Sequence, residues 1–286
     1  MRTTWLACLI MLTTPAVHAE VSKLAGGFQF LEGPVWMPGG MLIFSDIPAD
    51  ALFSWDATGI ATPFRKPSGQ ANGNTLDAEG RLITCEHANH RVVRMEKDGT
   101  LTELASTFEG KPLNSPNDVV VAQDGAIWFT DPTYGLGGRT STQPVRGIYR
   151  LNPTSMELRR VAGADFDQPN GLCFSPDGTK LYVADSGKPA HVRVFRVGAG
   201  GSLEDAGIFC TIDIGVPDGI RCTADGRLWV AAGDGIQIFS ADGKLERRIL
   251  VPESPTNLAF GGTGGSVLYI TARTSLYSVP VSESRP

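Results

Sequence analysis

Short apolar runs bounded by glycine-bearing polar turns recur along the whole chain, and their spacing is regular. Six of them begin at such a turn: GGMLIFSD at Gly39, EGRLITCE at Glu79, DGAIWFTD at Asp124, DGTKLYVAD at Asp177, DGRLWVAA at Asp225 and GGSVLYITA at Gly264. Their second residues, Gly40, Gly80, Gly125, Gly178, Gly226 and Gly265, are 40, 45, 53, 48 and 39 residues apart. That is the period of a propeller blade. Each copy has an apolar run after it (ALFSW, RVVRM, GIYRL, HVRVF, GIQIF, SLYSV) and one before it (GPVWM, GNTLD, NDVVV, NGLCF, DGIRC, NLAFG). Tight glycine turns between apolar runs specify hairpins, so each copy holds three strands plus a more variable outer one. No segment carries a helical stripe of more than two turns. The pattern predicts an all-β, six-bladed β-propeller, because a ring of blades buries sheet faces that one blade alone leaves exposed. The run around Leu24 to Phe30 is expected to add the outer strand of the last blade and close the circle.

Composition agrees with many short strands: of 286 residues, 34 are glycine and 19 proline, and 42% are hydrophobic. The net charge of -5, with no cluster of Lys or Arg, excludes a nucleic-acid-binding face. Residues 1–19 read as a secretory signal, with Arg2, an apolar stretch from Trp5 to Leu12, and Val17-His18-Ala19 before Glu20. The expectation is an exported protein, periplasmic or secreted, cleaved near Ala19, whose residues 20–286 form one propeller domain. No apolar stretch is long enough for a membrane span. Cys85, Cys173, Cys210 and Cys222 show no CxxC spacing, and buried thiols are expected rather than a metal site.

Eight residues before each turn glycine stand Glu32, Asn72, Asn117, Asn170, Asp218 and Asn257. All carry a side-chain oxygen and all open the first strand of a copy. Innermost propeller strands surround a channel, so equivalent positions converge on one axis. Asn and Asp are common at strand starts for local reasons, but Glu is a poor turn former. Two carboxylates on one rim call for a compensating cation. An all-oxygen donor set suits Ca²⁺ foremost, with Mg²⁺ or Mn²⁺ as alternatives and Zn²⁺ a weaker fit.

At these segments the chain resembles the gluconolactonase family, which includes senescence marker protein (regucalcin). The resembling stretches are EGPVW at Glu32, NSPNDVVVAQDGAIWFTDPTYG from Asn114, PNGLCFSPDG from Pro169 and PDGIRCTADGRLWVAA from Pro217; NGNTLDAEGRLITCEH from Asn72 is similar to the bacterial gluconolactonase-type branch. The resemblance implies a six-bladed propeller with one axial divalent cation, metal-binding residues at Glu32, Asn170 and Asp218, and Asp218 as proton acceptor and donor. It places Asn117 close to metal and substrate. The animal members have a substrate-holding Arg two residues before that Asn, where this chain has Ser115.

A cation that polarises a carbonyl and activates water, with a carboxylate to move the proton, would hydrolyse a lactone or ester. Glucono-1,5-lactone is the substrate that the resemblance implies. Asp118 and Asp131 are alternative bases. Asp131 and nearby Tyr134 are candidates for lining the mouth, although Asp131 also suits a turn before Pro132. His87 is a candidate hydrogen-bond donor to substrate or oxyanion, or a structural residue. Asn74 shares a strand face with Asn72 and either lines the pocket or bridges blades. There is no GxSxG turn, P-loop or dinucleotide fingerprint. Two alternatives stand beside a sugar lactonase: an arylesterase or organophosphate hydrolase on the same propeller, and a non-enzymatic exported propeller that binds a protein or glycan around a structural metal.

Overall fold

The computed structural model describes residues 20–281; the expected signal segment at residues 1–19 lies outside them. Six four-stranded antiparallel sheets follow one another along the chain, together with a two-residue hairpin, Thr107–Phe108 with Lys111–Pro112. The innermost strands are Leu31–Met37, Ala71–Leu76, Val119–Val121, Pro169–Phe174, Ile220–Cys222 and Asn257–Gly261. In the first five blades the strands run outward in sequence order. The sixth is completed by the N-terminal strand Ser22–Gly26, which pairs antiparallel with Ser275–Pro280. The ring therefore closes as expected, a few residues earlier than the run from Leu24. The only helical elements among the described residues are three single turns of 3-10 helix. No described helix is long and apolar enough to cross a membrane.

The core lies between blades rather than at one centre. Tyr182 and Val192 of the fourth blade, for example, pack against Ile220, Leu228 and Val230 of the fifth. All four cysteines of the described residues are free thiols.

A polar device recurs where the second strand of a blade ends. Asp46 accepts the N–H groups of Gln29 and Phe30 at 3.0 and 3.1 Å. Asp185 accepts those of Asp167 and Gln168 at 2.9 and 2.7 Å. Asp131 accepts those of Asn114 and Ser115 at 2.9 and 2.7 Å. Each carboxylate thus fixes the segment that leads into its own blade's inner strand. In the second blade Glu86 takes this position and binds Arg65 and Arg91 at 3.1 and 2.8 Å instead. Replacing Asp185 with Ala strands the N–H groups of Asp167, Gln168 and Gly187 and is expected to lower unfolding free energy by about 2–4 kcal/mol. The check is the urea midpoint at constant slope; an unchanged midpoint refutes the clamp.

Candidate active site

Glu32, Asn72, Asn117, Asn170, Asp218 and Asn257 stand at one end of the channel, at or just before the start of each inner strand. Their neighbours explain how they come so close. Glycine follows four of them, and a Cβ at Gly33 would lie 2.0 Å from the Asn72 carbonyl oxygen. A Cβ at Gly171 would lie 2.3 Å from the Asp218 carbonyl oxygen. Backbone bonds seal the same junctions: Gly73 N–H donates to Asn117 at 2.8 Å and Gly219 N–H to Thr256 at 2.8 Å. The third blade carries Asp118 and the sixth Leu258 where the other four have glycine, and Asp118 puts an additional carboxylate at the axis.

The six polar residues have different partners. Asn257 donates through Nδ2 to Glu32 Oε2 at 3.2 Å and accepts the Leu258 N–H at 2.9 Å. Glu32 Oε2 also accepts the Gly33 N–H at 2.9 Å. The Asn72 amide meets His87 Nε2 at 3.1 Å. The Asn170 amide faces Asp218 and eases its negative charge. Asn117 is held by its backbone, donating to the Thr130 carbonyl at 2.8 Å.

Burial dominates the electrostatics. It pushes Glu32 up to about 7, with the charge of Asp118 adding to it and the Gly33 N–H opposing it. Burial likewise raises Asp218 well above the usual carboxylate range, and Glu32 and Asp118 reinforce the shift. Asp118 is raised mainly by burial, against the opposing charge of Arg221. Arg221 Nη1 stands 3.8 Å from Asp118 Oδ2. Two of these carboxylate oxygens, Asp218 Oδ1 and Asp118 Oδ2, are buried without a hydrogen-bond partner. Three mutually repelling carboxylates, two of them with an unpaired oxygen, are costly unless a cation joins them.

The donor chemistry fits such a cation. Among the described residues no three His, Cys, Asp or Glu side chains cluster as a metal site on their own. Beside Glu32 and Asp218 stands the Asn170 amide, whose oxygen belongs to the same donor class. An all-oxygen set of this kind suits a hard divalent ion.

The remaining candidates separate. Asn74 is buried and its polar atoms join the first two blades: Nδ2 lies 2.9 Å from the Gly33 carbonyl and 2.9 Å from Ser45 Oγ, and Oδ1 accepts from Thr84 at 2.8 Å. Of its two alternatives, lining the pocket or bridging blades, these bonds match the bridge and use its hydrogen-bonding capacity. Asp131 is engaged in the same way. Both its oxygens clamp backbone and it is fully buried, so it serves neither as base nor as mouth lining. His87 is buried and neutral, brought down to about 4 by burial and by His90. Its Nε2 faces Asn72, so it reaches the mouth through that amide rather than directly.

Tyr134 is half-exposed, in the loop joining the second and third strands of the third blade. Its hydroxyl faces Ser186, and burial pushes it up to about 12, with Asp218 among the charges that add to the shift. Ser186 in turn donates to the carbonyl of Pro217, next to Asp218. Ser115 anchors this loop from below: its Oγ donates to the Pro132 carbonyl at 2.8 Å and accepts the Gly135 N–H at 3.0 Å. A side chain at Gly135 would strike His87, its Cβ 2.3 Å from the ring.

Two cations at the site are not evident from the repeat. Arg221 reaches Asp118 within the channel. Arg273, exposed after the second strand of the sixth blade, lies over the Phe30 ring at 6.0 Å and draws Asp218 downward. The signal for Arg221 was its place four residues before an inner strand's end turn; Arg273 sits on a loop whose path the sequence does not encode in any periodic way.

Residues 30–274 match the family model described as the SMP-30/Gluconolactonase/LRE-like region. A gluconolactonase from Zymomonas mobilis is 29% identical over 92% of this chain and 82% of its own length. The solved structure of a gluconolactonase from Xanthomonas campestris is 34% identical, with 92% and 89% of the two chains covered and a TM-score of 0.87. A calcium-binding regucalcin from Agrobacterium tumefaciens shares the fold at 23% identity and a TM-score of 0.76, covering 93% of this chain and 97% of that one.

Proposed function

Starting from a chain that belongs to the SMP-30/Gluconolactonase/LRE-like family, we propose that the channel mouth hydrolyses a sugar lactone with the help of one divalent cation. The observation that carries the proposal is the unpaired Oδ1 of Asp218, an atom shut off from solvent in a partly buried side chain, beside the buried Glu32. Glu32, Asn170 and Asp218 would hold the ion. When bound, it would polarise the lactone carbonyl and make water a better nucleophile.

The protein's own groups do the rest. Asp218, only partly buried at the mouth, takes a proton as water adds to the carbonyl carbon. It returns that proton to the ring oxygen as the carbon–oxygen bond breaks, leaving a hydroxy acid. Asp118 is not the base, because it is sealed below the mouth and faces Arg221. Asn117 and Tyr134 present polar groups to the sugar hydroxyls. His87 orients Asn72, and Asn257 orients Glu32. A lactone ring is neutral, so the mouth needs no strong cation at Ser115. Export after cleavage near Ala19 would place this activity outside the cytoplasm.

The names of the Zymomonas and Xanthomonas relatives support glucono-1,5-lactone as the first substrate to test. Acid release by the purified chain should greatly exceed spontaneous opening with glucono-1,5-lactone and exceed turnover of phenyl acetate or an organophosphate triester. Preference for either of the latter would reassign the substrate class. No turnover of any of them would leave a binding propeller.

A further inference from the structure

The cysteines take no part in the proposed reaction, yet two of them face each other across a blade junction. Cys173 lies on the fourth blade's inner strand, Pro169–Phe174, and Cys222 ends the fifth blade's inner strand, Ile220–Cys222. The two strands run in near contact: a Cβ at Gly171 would lie 2.8 Å from Gly219 Cα and 2.9 Å from the Ile220 nitrogen. Two residues farther along, Cys173 joins the apolar cluster that fills this junction, and Cys222 packs against the same cluster. The Cys222 backbone amide faces the Cys173 sulfur. Both thiols also line a cavity of about 380 Å³ shared with Trp36, Val121, Phe174 and Arg221.

We propose that Cys173 and Cys222 are a modification site: a dithiol that closes to an inter-blade disulfide in an oxidising compartment. Disulfides need Cα atoms about 4.4–6.8 Å apart; the strands touch at Gly171 and Gly219, just before the cysteines, and the Cys222 amide still faces the Cys173 sulfur. Cys210 is excluded as the partner of Cys173. It lies on the outermost strand of the same sheet, three strand spacings or roughly 14 Å away.

The chemistry balances with a low-molecular-weight disulfide as oxidant. Cys222, the more accessible thiol, loses its proton and attacks oxidised glutathione, releasing one glutathione thiolate. The Cys173 thiolate then attacks the Cys222 sulfur of the mixed disulfide and releases the second. The protein loses two electrons and two protons, and the oxidant becomes two thiols. Burial pushes Cys222 up to about 11 and Cys173 well above the usual range, so closure is slow at pH 7 and quickens as pH rises. Joining the blades here ties the channel wall far along the inner strands from Glu32 and Asp218.

The experiment is incubation of the folded chain with oxidised glutathione at pH 8.5, then thiol titration in denaturant and non-reducing peptide mapping. The expected result is a fall of two titratable thiols, with the peptides of Cys173 and Cys222 joined. Cys173→Ser and Cys222→Ser should each show no joined peptide. An unchanged thiol number, a stable glutathione adduct on Cys222 that does not close, or a different pairing would each overturn the proposal.

Discussion

Replacing Asp218 with Ala is expected to lower kcat for lactone opening by about 10³-fold while the propeller remains folded. The effect is large because, in the proposed reaction, one side chain would both move the proton and supply one of two carboxylates to the cation. The same substitution should make the cation-free protein more stable, because Asp218 is buried among Glu32 and Asp118 with Oδ1 unpaired. Active-site groups of this kind are strained by their neighbours, and removing them relieves the strain. Thermal midpoint and kcat should therefore move in opposite directions. Asn257→Ala is the comparison. It removes a 3.2 Å bond to Glu32 but no expected cation ligand, so roughly a tenfold loss is expected. Equal losses at the two positions would place the chemistry on another part of the rim.

The second large effect is on stability against pH. Glu32 is held near 7 in the folded chain, against 4.5 for an ordinary glutamate. A raised carboxyl keeps its proton in the folded state, so its stabilising contribution is complete below 4.5 and is lost as pH climbs through 7. For Glu32 that loss is on the order of 2–3 kcal/mol, which for a domain of this size is roughly 5–10 °C in midpoint. The chelated protein should melt lower at pH 7.5 than at pH 5, and Glu32→Gln should flatten the difference. A saturating divalent ion at pH 7.5 should restore the loss, because it binds the ionised folded site and not the unfolded chain. A chelated protein more stable at pH 7.5 than at pH 5 would contradict the electrostatics described for the mouth.

The ring was legible because hairpin turns need glycine at fixed places, and six repeats of that need cannot be hidden by sequence drift. The axial residues were legible for the same reason, as one register position read six times. Asp131 had two readings, mouth or local turn, and the repeat bears on the choice: Asp46 and Asp185 end equivalent strands and hold backbone N–H groups in the same way. Asn74 was ambiguous because a strand face shows only that two residues point the same way. Which blade edge they meet depends on packing between sheets. The arc of Tyr134 toward Ser186 depends on an irregular loop, as does the approach of Arg273, and neither has a period to read. Asp118 stood in plain view beside Asn117, but its place among the carboxylates follows from how the third blade's inner strand packs against its neighbours at the axis.

The most direct measurement is glucono-1,5-lactone hydrolysis, followed as acid release at constant pH, by the chelated chain and then with Ca²⁺, Mg²⁺, Mn²⁺ or Zn²⁺ restored one at a time. The account predicts turnover that vanishes on chelation and returns with a hard divalent ion, with Asp218→Ala recovering under none of them. Full activity in the chelated protein, or recovery in Asp218→Ala equal to that of the unaltered chain, would contradict it.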